Sequence, residues 1–250
     1  MAGHSKWANI KHKKAKMDSQ KGKIFTKLAK EISVAAKEGG GDPEANYRLN
    51  TAIQKAKANN LPAENIERAI KKGIGELGGV NYEQIVYEGY GPGGTAVLCQ
   101  ILTDNRNRTA GEIRHIFSKK GGNLGETGCV AWMFEQKGVL GVDLEEVKME
   151  EDDVLLMAIE AGAEDVNTED NIVEIYTAPD AFSEVKDKLE QEGLSFSVAE
   201  VTMIPKTTVT IDDPEKALAV LNLMDELDEH DDVQEAYSNY NIPDEIMESL

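Results

Sequence analysis

Nine lysines, Lys6, Lys11, Lys13, Lys14, Lys16, Lys21, Lys23, Lys27 and Lys30, crowd the first thirty residues against a single acid, Asp18. Ammonium groups at that density neutralise phosphates, and the counterions released drive binding to a polyanion. Without such a partner the stretch repels itself, so the pattern predicts ordering on a nucleic acid. A solubilising tail is the weaker reading. Trp7 has the ring to stack on an exposed base, and equally the bulk to anchor packing.

A second basic group, Arg106, Arg108, Arg114, Lys119 and Lys120, surrounds a predicted helix whose start is signalled by the capping box Thr109-Ala110-Gly111-Glu112. Two arginines just before a helix N-terminus suit a phosphate, because free N–H groups and the helix dipole add to their charge. Asp104 and Glu112 are equally placed to pair with them, and both readings stand open.

Catalytic chemistry has no comparable support. His4, His12, His115 and His230 lack metal-ligand spacing, and Cys99 and Cys129 are too far apart for a zinc knuckle; no metal is expected. The acids Glu226, Asp228, Glu229, Asp231 and Asp232 around His230 lack the glycine and ligand pattern of a calcium loop, which predicts a solvated acidic helix end. Gly91-Pro92-Gly93-Gly94-Thr95 is followed by an apolar strand instead of Gly-Lys-Ser/Thr and a helix, so it predicts a hairpin turn. No nucleophile elbow, zincin motif or Cys/His signature occurs. The expectation is a non-enzyme with no cofactor and no small-molecule substrate.

The elements that position these residues follow from periodicity. Ile24, Leu28 and Ile32 with Ala36 predict an amphipathic helix stopped by Gly39-Gly40-Gly41. Asp42-Pro43-Glu44 predicts the start of a second helix through Leu49, Ile53 and Ala56, and Leu61-Pro62-Ala63-Glu64 the start of a third ending at Gly73. Strands are expected at 82–90 and 95–102, then the capped helix to Gly121-Gly122, then a strand at 130–134. Beyond it the order is strand (139–142), helix (154–161), two strands (165–166, 172–177), helix (181–192) and strand (195–203), a ferredoxin-like βαββαβ arrangement. Strand 207–211, a helix at 214–227 capped by Asp213, and strand 233–240 complete the chain.

This is an α+β chain of three expected domains: a basic helical bundle at 1–79, a discontinuous α/β domain at 80–137 plus 206–250, and an acidic inserted domain at 138–205. Charge divides along the same lines. Residues 1–75 carry 16 Lys and Arg against 7 Asp and Glu, residues 76–137 carry 6 against 7, and residues 138–250 carry 5 against 32, so the overall −19 conceals a basic end. No apolar run reaches the length of a membrane span, and two cysteines inside apolar segments fit a reducing cytoplasm.

The opening MAGHSKWANIKHKK, with IFTKLAKEI, LPAENIERAIKKG, YEGYGPGG and TDNRNRTAGEIRHIFSKKGGNLGETGCVAWMF, resembles the YebC/PmpR family of probable transcriptional regulators. That family is related to the mitochondrial translational activator of cytochrome c oxidase subunit I. The resemblance runs over essentially the whole chain. It implies three domains with the third inserted into the second, a cytoplasmic location, and one of two activities: binding promoter DNA, or associating with ribosomes, through ribosomal RNA, to relieve stalling on proline-rich stretches. A DNA-binding transcriptional regulator is the leading expectation, the ribosome-associated factor its rival, and a protein-interaction adaptor using the acidic domains a third.

Overall fold

The computed structural model describes residues 21–78, 81–169, 171–247 and 250. Lys6, Trp7, Lys11, Lys13, Lys14 and Lys16 lie outside the described residues, as does the side chain of Lys21. The chain forms two compact units. One takes described residues up to Val130 together with Glu215–Ser238, and the other takes Ala131–Pro214 with Asn239–Leu250.

The first unit opens with three helices, α1 (Lys21–Gly39), α2 (Tyr47–Ala58) and α3 (Ala63–Gly73). Ile24, Leu28, Ile32 and Ala36 recur at helical spacing on α1 and bury themselves against Leu49, Ile53 and Ala56 of α2 and Ile66 and Ala69 of α3. The helices approach closely where Gly73 meets Ser33, since a Cβ on Gly73 would overlap the Ser33 carbonyl. The start of α2 departs from expectation. Asp42 closes a preceding turn, accepting from the Ala45 and Asn46 amides through its carbonyl, and Asn46 is the cap. Its Oδ1 accepts from Leu49 N at 3.0 Å while its Nδ2 donates to Ala35 O and Gly40 O, each at 2.8 Å. A buried amide that satisfies three backbone groups prevails over an exposed aspartate that satisfies one.

Strands β1 (Glu83–Tyr90) and β2 (Ala96–Thr103) follow as an antiparallel hairpin, paired from Glu83↔Thr103 to Tyr90↔Ala96. Gly93 holds φ 71° in the connecting turn, a left-handed conformation that glycine adopts without strain. Helix α4 (Arg106–Lys119) and the short β3 (Asn123–Leu124) complete the local chain. The α4 cap is Asn105, which accepts from Arg108 N at 3.1 Å, so the helix begins a turn earlier than the Thr109 capping box implied. Arg106 and Arg108 therefore sit inside the first turn rather than before it.

Two elements from the far end of the chain join this unit. Helix α8 (Pro214–Asp228) buries Val220, Leu223, Met224 and Leu227, and β9 (Val233–Ser238) pairs antiparallel with β2, giving sheet order β3-β1-β2-β9. A Cβ on Gly89 would meet Phe117 of α4, and one on Gly91 would meet Leu223 of α8. Both helices thus cover the same region of sheet.

The second unit contains β4 (Phe134–Asp143), α5 (Leu144–Val147), α6 (Glu151–Ala161), β5 (Asp165–Glu169), β6 (Ile172–Thr177), α7 (Phe182–Gln191) and β7 (Val198–Pro205). Its antiparallel sheet runs β5-β6-β4-β7, the ferredoxin-like order, with Leu140, Val142, Val173 and Ile175 packed against Val154 and Ala158 of α6 and Val185 and Leu189 of α7. The strand expected at 130–134 is replaced by a 3-10 turn at Ala131–Met133, and pairing with β7 begins at Phe134. The expected domain boundary at 137/138 accordingly falls inside β4. Strand β8 (Val209–Thr210) pairs in parallel with β10 (Tyr240–Asn241) as a separate ribbon, so the strand expected at 233–240 divides between two sheets; α9 (Asp244–Met247) ends the fold.

Candidate nucleic-acid interface

Helix α1 carries Lys23, Lys27 and Lys30 on one face, as their spacing required, and that face lies on the C-terminal end of α8. Lys23 Nζ donates to Glu229 O at 3.2 Å, Lys27 Nζ to Asp228 O at 2.7 Å and Lys30 Nζ to Asp231 O at 2.8 Å. The last carbonyls of a helix have no partner within it and carry the negative end of its dipole. Lys27 meets the last carbonyl of α8, and Lys23 and Lys30 bind the carbonyls of the turn just past it, bringing three ammonium groups to the negative end of the helix.

At the centre of this junction is Asp232, only 4% exposed, in the turn between α8 and β9. Its Oδ1 accepts from Lys30 Nζ at 2.7 Å; its Oδ2 accepts from Arg108 Nη2 at 2.6 Å, Thr109 Oγ1 at 2.7 Å and Thr103 Oγ1 at 3.1 Å. Burial by itself would raise this carboxyl's pKa, but the hydrogen bonds from Lys30, Arg108 and Thr109 outweigh it and hold the group well below the usual carboxylate range. The Asp232 amide donates to His230 Nδ1 at 3.1 Å, which leaves the neutral ring's proton on Nε2, facing Glu112 Oε2 at 2.9 Å. The acidic turn expected to be solvated is therefore the node that joins α1, α4, β2 and α8. Sequence reasoning missed Asp232 because the neighbouring acids masked it; its one local signal is its place beside Val233 at the head of an apolar strand.

Other expected contact residues also meet protein. Lys119 and Lys120 bind opposite oxygens of Glu226 at 3.1 Å and 2.9 Å, which lowers the Glu226 pKa. Arg108 additionally pairs with Asp104 at 3.0 Å. Arg106 and Arg114 differ: both are exposed and neither makes an ion pair among the described residues. They flank Tyr87, whose hydroxyl donates to Arg106 O at 3.4 Å; burial raises its pKa while the two guanidinium groups oppose that rise.

An open cleft of about 710 Å³ lies above the junction, lined among others by Lys23, Tyr82, Arg108, Glu112, His115 and His230. Glu112, His230 and Asp232 bring ligand atoms within 4.8 Å of one another, compact enough for a cation. They do not fit one, because both Asp232 oxygens already serve Lys30 and Arg108 and those charges repel a metal ion. Elsewhere Glu88, 3% exposed, accepts from Gly128 N at 2.6 Å and Val130 N at 2.8 Å, fixing the loop that carries Cys129. Burial, then the Glu88 charge, push the Cys129 thiol pKa up.

Residues 5–76 match the model of the TACO1/YebC protein N-terminal domain, and residues 82–240 match that of the TACO1/YebC second and third domain. A relative from Halothermothrix orenii is 63% identical over 250 residues, covering 100% of this chain and 99% of its own; one from Natranaerobius thermophilus is 59% identical with full coverage of both. Each is called a probable transcriptional regulatory protein. A crystal structure of a conserved hypothetical protein from Aquifex aeolicus superposes with a TM-score of 0.78 at 51% identity, covering 92% of this chain and 93% of that one.

Proposed function

The chain belongs to the TACO1/YebC family, and from that premise we propose that it is a cytoplasmic, non-catalytic regulator that binds DNA. The observation that carries this reading is how the positive charge is distributed. Lys23, Lys27, Lys30, Arg108, Lys119 and Lys120 hold the fold together, while Arg106 and Arg114 stay exposed without an ion pair among the described residues, and the sequence before α1 adds the lysines Lys6, Lys11, Lys13, Lys14 and Lys16. Cations kept out of internal pairs are the ones available to phosphate. The buried acid and histidine cluster has its donors and acceptors matched internally, which supports binding rather than catalysis. No described helix is long and apolar enough to cross a membrane.

A second reading, a ribosome-associated factor acting through ribosomal RNA, is favoured by the absence of arginine from the first thirty residues, since lysines grip a backbone of either nucleic acid without reading bases. Crosslinking the full chain in growing cells, followed by denaturing purification and sequencing of the attached nucleic acid, separates the two. Discrete promoter segments support the DNA reading; ribosomal RNA fragments overturn it in favour of the second.

A further inference from the structure

Helix α2 has one property that its neighbours lack. Between residues 45 and 63 the chain carries three cations, Arg48, Lys55 and Lys57, and no acid. Its buried side is Leu49, Ala52, Ile53 and Ala56. At about 100° per residue, the opposite side forms a stripe of Tyr47, Asn50, Thr51 and Gln54, all exposed, with Tyr47 79% exposed. Lys57 lies along one flank of that stripe and Arg48 and Lys55 along the other.

An uncharged stripe rich in hydrogen-bonding groups, with one cation on one flank and two on the other, matches the cross-section of a duplex major groove, where base edges form the floor and phosphates the walls. Asn and Gln are the side chains whose paired donor and acceptor fit the N6/N7 edge of adenine. Twelve residues give a rod about 18 Å long, which fits a groove wide enough to admit an α-helix. The A-form major groove of RNA is too narrow for it. The flanking cations differ in how they are engaged. Lys57 makes no ion pair among the described residues, Lys55 stands 3.9 Å from Glu31 and 3.5 Å from Glu235, and Arg48 pairs with Glu38. The Arg48–Glu38 pair, with both side chains well exposed, contributes little and exchanges readily for phosphate, whereas Lys55 must first leave the half-buried Glu235.

We propose that α2 reads bases in the major groove of duplex DNA, with Asn50 and Gln54 contacting base edges and Lys57, Arg48 and Lys55 gripping the phosphates on either side. This rests on the nucleic-acid reading above and adds to it the source of sequence preference that lysines alone do not supply. Asn50 and Gln54 are the specificity-determining pair. Their substitution leaves the packed side of the helix untouched.

The test is selection from random duplex DNA and, in parallel, random RNA libraries with the full chain, repeated for the Asn50→Ala/Gln54→Ala variant after its thermal midpoint is matched to the parent. The parent enriches a duplex motif. The variant loses discrimination at one or two positions of that motif by about 10- to 100-fold and retains affinity for unrelated duplex, whereas Lys57→Gln weakens all duplexes alike and lowers the salt slope by about one. If the variant enriches the parent's motif unchanged, or the parent binds duplex without any motif, the role of α2 is overturned while nucleic-acid binding stands. If neither library is bound at low salt, the nucleic-acid reading itself falls. If RNA alone is bound, the major-groove assignment falls with the DNA reading.

Discussion

Replacing Asp232 by alanine removes one carboxylate from four donors. The consequence differs among them. Arg108 has a side chain 44% exposed and a second partner in Asp104, so it turns to solvent at little cost. Lys30 has a side chain only 12% exposed and remains held at Asp231 O, so its ammonium stays largely desolvated at the edge of the cleft without its carboxylate partner. Breaking a buried pair by removing one partner costs about 3–5 kcal/mol, and Arg108's freedom places this case near 3 kcal/mol. For a chain of this size that corresponds to a midpoint lower by about 6–12 °C. Urea unfolding followed by fluorescence measures it, with Lys30→Met and the Lys30→Met/Asp232→Ala double variant closing a cycle whose coupling energy is about 1–3 kcal/mol. The pH dependence supplies an independent check. A carboxylate whose folded pKa is depressed contributes stability in full above its unfolded value of about 3.9 and loses it as pH falls through the folded value. The gap between parent and variant is therefore constant from pH 7 to about 5 and closes only below about pH 4. A loss under about 1 kcal/mol at pH 7, or a gap unchanged down to pH 2, refutes the reasoning.

Arg106→Gln/Arg114→Gln lowers duplex affinity and reduces the salt slope by about two while leaving the thermal midpoint within a degree or two; a large midpoint change shows instead that these groups hold the fold. Gly89→Ala forces a methyl to within 2.6 Å of Asn123 O and 2.7 Å of Phe117, and lowers stability by about 1–3 kcal/mol, whereas a neutral result in denaturant titration means that β3 simply moves aside. Glu88→Gln removes a charge that raises the Cys129 thiol pKa, so the midpoint of the pH profile for thiol modification moves down; an unmoved midpoint assigns the perturbation to burial alone.

The fold was largely legible in the residues because its helices announce themselves by apolar spacing and its glycines by where they stop a run. What escaped was decided by competition that spacing does not record. Asp42 and Thr109 both carry start signals, yet Asn46 took its cap by meeting three backbone groups, and Asn105 took the other while the Thr109 hydroxyl turned to Asp232. Lys23, Lys27 and Lys30 were visible as a stripe, and the stripe exists. Its partner, the α8 terminus, lies some two hundred residues away in sequence, and no local pattern distinguishes a lysine that meets a phosphate from one that meets a helix C-terminus.

That ambiguity has a physical root. A phosphate and the end of a helix offer a lysine the same thing, oxygen acceptors with excess negative potential, so one residue type serves both. What separates the two uses is burial. Lys30 is largely desolvated against Asp232, a pair that salt screens weakly; Arg106 and Arg114 stand in water, where a Debye length of about 10 Å at 0.1 M governs them. The chain therefore contains two electrostatic populations that respond differently to ionic strength. The proposed association with nucleic acid is accordingly expected to fall with added salt while the thermal midpoint, which reports the junction of α1 with α8, stays put; a midpoint that falls in parallel with binding refutes the division.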